Sequence, residues 1–258
     1  MALKALIFDV DGTMADTELR GHLWAFNETF KEAGLPFRWD VETYRVLLGV
    51  AGGERRIKHF IEERPDVPDL DLSLISQLHR RKTDLFAERV RQGQIPWRAG
   101  VVRLIREAVG SGLKVGIATT TQAANVHELL VTGFGQTWPN WIDTVCAGDD
   151  VGAKKPDPEV YCMALRRLAV NPDEVVAVED SQIGLLAARA ADISTVITTN
   201  DWTVQQDFQG AMAVLNGLGE PWSLAVGNSP EGRVEALVDC ARLQKWLALT
   251  ETGGIREQ

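Results

Sequence analysis

Four stretches of this chain place carboxylates, hydroxyls or an ammonium group just past a short apolar run. Asp9-Val10-Asp11-Gly12-Thr13 follows residues 3–8, and Thr119-Thr120-Thr121 follows residues 113–118. Lys154-Lys155-Pro156-Asp157-Pro158 comes one loop after residues 144–147, and Glu179-Asp180-Ser181 follows residues 175–178. Asp9 and Asp11 stand two apart, so on extended chain their side chains point to one side. Gly12 lets the backbone turn sharply and come close to a ligand. With Asp180 from another run, these oxygens are hard donors suited to Mg2+, which takes one or two carboxylates together with water and substrate phosphate. A carboxylate such as Asp9 can attack phosphorus and carry an aspartyl-phosphate. A second, Asp11, can protonate a leaving oxygen and then take a proton from water. Lys155 can offset charge on a phosphoryl group in transfer, and Thr119 can donate a hydrogen bond to it.

These groups need elements to hold them. The apolar runs at 3–8, 113–118, 144–147, 175–178 and 195–198, with a weaker one at 211–215, are nearly continuous, as strands buried on both faces should be. Helical stripes accompany them: Val101, Leu104, Ile105 and Ala108; Val160, Tyr161, Ala164, Leu165 and Leu168; Val234, Leu237, Val238 and Ala241. The alternation predicts an α/β fold with a doubly wound parallel sheet. Ligands of such a sheet bind beyond the carboxyl ends of the strands, where the polar stretches fall. Residues 17–93 break the alternation. Leu19, Leu23, Phe26, Phe30 and Ala33 step along one helix face, which Gly34 and Pro36 end, and helical pattern returns at 41–48, 55–63 and 72–90. This predicts an α-helical cap domain over 17–93, inserted into a core domain made of 1–16 and 94–258.

Composition excludes other classes. The 258 residues carry 27 basic and 36 acidic side chains, a net charge of −9. That gives no general affinity for nucleic acid or an anionic membrane. No apolar run nears the roughly 18 residues that span a bilayer, and the N-terminus lacks signal-peptide features. Cys146, Cys162 and Cys240 are far apart and form no C-x-x-C, which points to small core residues in a reducing compartment. The eight tryptophans are scattered and read as packing residues. The expectation is a monomer in the cytoplasm, or in the plastid stroma had a transit peptide been removed.

In this order, DVDGT, the threonine after the second run, KKPDP and VEDS resemble the four motifs of the haloacid dehalogenase-like hydrolase superfamily. The resemblance implies a Rossmann-like core with a helical cap. It implies Asp9 as nucleophile, Asp11 as general acid and base, and Thr119 and Lys155 on the phosphoryl group. It implies Mg2+ held by the Asp9 carboxylate, the Asp11 carbonyl and the Asp180 carboxylate, with Glu179 behind them. The stretches DVDGTMADTE, GHLWAFNETF, WDVETYRVLLGVAGGERRI, KKPDPEVY, QQDFQGAMAV and LNGLGEPW carry the likeness to about residue 222. They narrow it to the CbbY-like branch, similar to small sugar-bisphosphate phosphatases. Some members hydrolyse xylulose 1,5-bisphosphate, an inhibitor of the carbon-fixing enzyme of the Calvin cycle. The implied activity is therefore a Mg2+-dependent phosphatase of a small phosphorylated sugar, a ketose bisphosphate of that type. The branch's GGKER is here Gly52-Gly53-Glu54-Arg55-Arg56, and its R-P-G-V is Arg98-Ala99-Gly100-Val101.

Substrate contacts are expected from Glu18 and His22, four apart on one helix face, and from Gly52, Gly53, Thr119, Thr120 and Lys155. Arg56 and Arg98 are candidates to grip a second phosphate bidentately. Each has a plainer reading. The threonines could cap the following helix, and Arg98 and Arg56 could lie on a solvated face. Lys154 stays undecided. Arg80, Arg81 and Lys82 read as a solvated run, and His59, His79 and His127 as surface residues. A calcium loop from Asp9 fails because Arg20 takes its twelfth place. A phosphosugar mutase of the β-phosphoglucomutase type is the alternative on the same scaffold. A dehalogenase would not need Asp11. A phosphonate hydrolase would need a cap lysine where Glu54, Arg55 and Arg56 stand. A binding protein on a decayed scaffold is disfavoured, because every catalytic position is intact.

Overall fold

A computed structural model describes residues 2–50, 52–64 and 70–252. The chain divides into two compact units: Asp16–Pro96, and Met1–Ala15 with Trp97–Gln258. The seams fall at 15/16 and 96/97, where the sequence suggested 16/17 and 93/94.

The first unit is helical. A π-helical stretch, Glu18–Leu23, runs into α1 (Trp24–Glu32), followed by α2 (Val41–Leu47), α3 (Gly53–Glu62) and α4 (Leu72–Arg91). Asp40 caps α2 by accepting from Thr43 N, and Asp71 caps α4 by accepting from Leu74 N, both at 2.7 Å. These side-chain oxygens satisfy backbone donors that a first helical turn leaves unpaired. The core is aromatic. Phe26 and Trp39 lie 4.6 Å apart, Trp39 and Phe60 5.5 Å. Each such pair adds about 0.5–1.5 kcal/mol beyond its buried area. Asn27 pins Trp39 by bonding both its backbone N and O at 2.8 Å.

One expectation fails in α4. Arg81 lies on the surface, forked onto Glu32, but Lys82 is buried. The reason is register: Ile75, Leu78, Lys82 and Leu85 step by 3, 4 and 3 along one inward face.

The second unit is built on β1 (Ala5–Phe8), β2 (Lys114–Ala118), β3 (Thr144–Cys146), β4 (Val175–Glu179), β5 (Ser194–Thr198), β6 (Ala213–Leu215), β7 (Ala225–Ser229) and β8 (Gly232–Ala236). They form one sheet in the order β3-β2-β1-β4-β5-β6-β7-β8. The first six are parallel, and β7 and β8 are antiparallel. Ala5 pairs with Lys114 on one side and Val175 on the other, so β1 is central. Helices α5 (Val101–Gly110), α6 (Ala123–Phe134), α7 (Glu159–Leu168), α8 (Gln182–Ala190) and α9 (Cys240–Thr252) complete the unit. The stripes expected on α5 and α7 are buried. Polar groups meet at the ends of β1, β2 and β4 because all three strands run the same way.

The stripe at 234–241 is not one helix. Val234 belongs to β8, and α9 starts at Cys240. The chain reverses over Pro230 and Glu231 and re-enters the sheet at Gly232, whose φ of +89° is costly for a side chain. Trp39 and Trp246 are packed in cores, whereas Trp222 is 83% exposed. The three cysteines are free, and no helix among the described residues is long and apolar enough to cross a membrane.

Candidate active site

The α/β unit brings Asp9, Asp11, Thr119, Lys155, Glu179 and Asp180 to one end of its sheet. Lys155, after β3, has a side chain only 6% exposed. Its Nζ donates to Asp9 Oδ1 and Glu179 Oε1, both at 2.6 Å, and to Ala118 O at 2.9 Å. Lys154 is exposed, so Lys155 is the member of the pair at the site. Glu179, at the end of β4, has no solvent exposure. Its Oε1 also accepts from Tyr161 Oη at 2.7 Å, and Oε2 accepts from Asp180 N at 3.1 Å. Glu179 therefore orients Lys155 and the strand end rather than facing a substrate. Tyr161 was legible only as part of an apolar helix stripe.

Asp180 is held by Asn200 Nδ2, which donates to Oδ2 at 2.7 Å, and more weakly by Thr13 Oγ1, which donates to Oδ1 at 3.4 Å. Gly12 is required next to it. Its φ is +79°, and a Cβ there would collide with the Asp180 carboxylate. Thr121 Oγ1 donates to Asp11 Oδ2, and Thr121 N donates to Thr119 Oγ1 at 3.2 Å. None of the three threonines caps α6, whose N-cap is Gln122 and whose first amide, Ala123 N, bonds Asp149 at 3.2 Å. Sequence reasoning favoured Thr119. The structure adds Thr121 as the partner of Asp11.

The charges explain what this cluster can hold. Burial pushes the Asp9 carboxyl up to about 7; Lys155 opposes this, while Glu179 and Asp11 add to it. Burial, then Glu179 and Asp9, hold Asp180 well above the usual carboxylate range. Lys155 is raised by Asp9 and Glu179 against its own burial. Carboxylate oxygens of Asp9, Glu179 and Asp180 lie within 4.8 Å of one another. Burial and mutual repulsion oppose ionising all three carboxyls beside one ammonium, and a small divalent cation in this hard-oxygen pocket would offset that charge. With Lys155 on Asp9 Oδ1 and Asn200 on Asp180 Oδ2, Asp9 Oδ2 and Asp180 Oδ1 are the oxygens suited to hold it.

Arg98 is a correction. Its Nη1 donates to Gly12 O at 2.6 Å, Thr198 O at 2.7 Å and Thr198 Oγ1 at 2.9 Å, and its Nη2 to Thr199 O at 2.7 Å. The guanidinium is a strut between the Gly12 turn and the end of β5, so its fork is occupied by this chain's own oxygens rather than by a phosphate.

The remaining expected contacts lie in the helical unit. Glu18 Oε2 accepts from Tyr44 Oη at 2.7 Å, and Arg56 Nη1 donates to the same Tyr44 Oη at 3.3 Å. Arg56 Nε donates to Val50 O at 2.9 Å. Gly52, with φ +93°, is the N-cap of α3, and Gly53 packs under His79, which is half-buried instead of on the surface. His22 sits in the π-helical stretch, a geometry frequent at functional sites. It stacks on Phe86, and its Nδ1 lies 2.9 Å from Lys82 Nζ. An ammonium only donates, so Nδ1 accepts and the ring is assigned its proton on Nε2.

Burial, then Lys82, Arg56 and His79, hold this imidazole well below 6.5. A base neutral in the fold but protonated in the unfolded chain stabilises above pH 6.5 and loses that contribution as pH falls. Melting temperature is therefore expected to drop below pH 6.5, steepened by as much as about 1.4 kcal/mol per pH unit from this one proton. His22→Gln keeps an acceptor for Lys82 and should flatten the slope. An unchanged slope would assign it to other groups.

Comparison with known proteins agrees with this geometry. The sequence model of the haloacid dehalogenase-like hydrolase family matches residues 6–198. Protein CbbY of a Cupriavidus necator plasmid is 42% identical over 247 residues, 95% of this chain and 96% of that one. A crystal structure of a CbbY mutant from Rhodobacter sphaeroides, in complex with xylulose-(1,5)bisphosphate, is 40% identical with a TM-score of 0.72, covering 84% of this chain and 96% of that one. The phosphorylated carbohydrates phosphatase of Thermotoga maritima is 29% identical over 75% of this chain and 84% of its own.

Proposed function

Since the chain belongs to the haloacid dehalogenase-like hydrolase family and is a sugar phosphatase within it, we propose that it hydrolyses a ketose bisphosphate of the xylulose 1,5-bisphosphate type with Mg2+ as cofactor. The observation that carries the reading is Lys155 Nζ, 2.6 Å from Asp9 and from Glu179, beside an Asp11 held by Thr121. In this reading a nucleophile, an acid/base group and a charge clamp share one end of the sheet.

In the first step an Asp9 oxygen attacks phosphorus. The new O–P bond forms as the bond to the sugar oxygen breaks, and Asp11 gives that oxygen a proton. In the second step water attacks the aspartyl-phosphate, Asp11 takes its proton, and Asp9 leaves as a free carboxylate. Thr121 holds the Asp11 carboxyl in place for both transfers. Lys155 and Thr119 bear on the equatorial phosphoryl oxygens. Mg2+ bound by Asp9, the Asp11 carbonyl and Asp180 would supply charge to offset that of the phosphoryl group.

The helical unit supplies specificity in this reading. Arg56, with Nε on Val50 O and Nη1 on Tyr44, is the group for the second phosphate. Glu18, His22, Gly52 and Gly53 bear on the sugar.

The test is phosphate release from xylulose 1,5-bisphosphate, ribulose 1,5-bisphosphate and β-glucose 1-phosphate, with Mg2+ and with a chelator. Chelator-sensitive release confined to a ketose bisphosphate is expected. Isomer formation without release, once a bisphosphate activator is added, would establish the mutase instead. In the same assay Arg56→Ala should weaken kcat/KM for the bisphosphate by about 10- to 100-fold, the loss of a charged hydrogen-bond pair. A monophosphate should be nearly unaffected, and equal losses would remove Arg56 from that role.

A further inference from the structure

Asn200 lies in the turn after β5, outside every motif legible in the sequence. Its carboxamide is committed at both ends. Nδ2 donates to Asp180 Oδ2 at 2.7 Å and to Gly12 O at 3.2 Å. Oδ1 accepts from Trp202 N at 2.9 Å and Thr203 Oγ1 at 3.2 Å. The two donors on Oδ1 fix which way the amide points, since a flip would set an oxygen against the carboxylate and NH2 against two donors. The donor end therefore always faces Asp180 and the Gly12 turn, the loops that carry the carboxylates. Arg98 holds the same Gly12 carbonyl at 2.6 Å, so this turn is braced from two sides.

We propose that Asn200 is a positioning residue that limits Asp180 to ligation through one oxygen and so biases the site toward Mg2+ over Ca2+. The inference rests on the cation reading given above. Mg2+ demands near-octahedral geometry at short distance, whereas Ca2+ takes six to eight oxygens and accepts carboxylates through both. With Oδ2 bound by the amide at 2.7 Å, Oδ1, which has only the long 3.4 Å contact from Thr13, is the oxygen more available to a cation. Without that donor the carboxylate can turn and offer both oxygens, which suits the larger ion. Groups behind a metal ligand commonly change affinity by about 10- to 100-fold when removed.

The experiment is calorimetric titration of MgCl2 and of CaCl2 into the full chain, as wild type, Asn200→Ala, Asn200→Asp and Thr203→Val. In Asn200→Ala the Mg2+ affinity should fall about tenfold and the preference should move toward Ca2+ by a similar factor. Asn200→Asp keeps the acceptor for Trp202 N and Thr203 Oγ1 but loses the donor. It should move the preference the same way, and it carries the test if the alanine variant fails to fold. Thr203→Val removes the longer of the two bonds to Oδ1 and leaves Trp202 N, at 2.9 Å, to hold the amide's direction, so it should keep the wild-type preference. A wild-type preference in the folded Asn200 variants overturns the inference, as does an equal shift in Thr203→Val. No Mg2+ uptake by the wild type would overturn the cation reading itself, a separate result.

Discussion

An Asp9→Asn variant is expected to release phosphate at least about 10⁴-fold more slowly than the wild type, a loss of about 5.5 kcal/mol of transition-state stabilisation. The amide has the same shape and can still accept from Lys155, so the clamp survives. What it loses is the anionic oxygen that attacks phosphorus. Its melting temperature should not fall. Asp9 is buried beside Glu179 and Asp180, and a neutral side chain relieves that crowding of carboxylates. Steady-state kinetics and thermal melting check both halves. Wild-type-like turnover in this variant would take the nucleophile's role away from Asp9.

Arg98→Ala is expected to lower stability by about 3 kcal/mol or more, because several charge-assisted hydrogen bonds go and buried carbonyls lose their donor. Activity should fall alike on a bisphosphate and a monophosphate, because the Gly12 turn beside Asp11 loses a strut. Arg98→Lys should not restore either property. An ammonium has no planar fork to reach Gly12 O and Thr199 O together. A side chain that gripped substrate would give the opposite pattern, with stability intact and the loss confined to the bisphosphate. Denaturant unfolding alongside kinetics on both substrates separates the two.

That contrast marks where the sequence stopped being legible. Strands β1, β2 and β4 announced themselves because a parallel strand buried on both faces must be apolar throughout, and chemistry at their ends then stands out. The two arginines could not be sorted the same way. A guanidinium binds carbonyls and phosphates by the same fork, and only the approach of the turn after β5 decides for Arg98. Asn200 and Tyr161 depend on that kind of long-range approach too, and carry no local pattern. Lys82 did have a signal. It sits at an inward position of the Ile75, Leu78, Leu85 stripe, but its charge and its neighbours Arg80 and Arg81 outweighed the spacing. The β7–β8 hairpin was masked differently. Its strands are only partly buried and hold few apolar residues, so Val234 fell by chance into step with a later helix. The Ser229-Pro230-Glu231-Gly232 turn was the available sign.

The order of pairing in the sheet also bears on vectorial synthesis. β1 leaves the ribosome before its partners, since its ladders run to Lys114 through Ile117 on one side and to Val175 through Val178 on the other. Neither partner exists while the insertion Asp16–Pro96 is being made, and that insertion has its own core to collapse around. The helices can therefore settle while β1 still waits as unpaired apolar chain. Asp9 is polymerised well before Lys155, Glu179 and Asp180, the groups that later surround it.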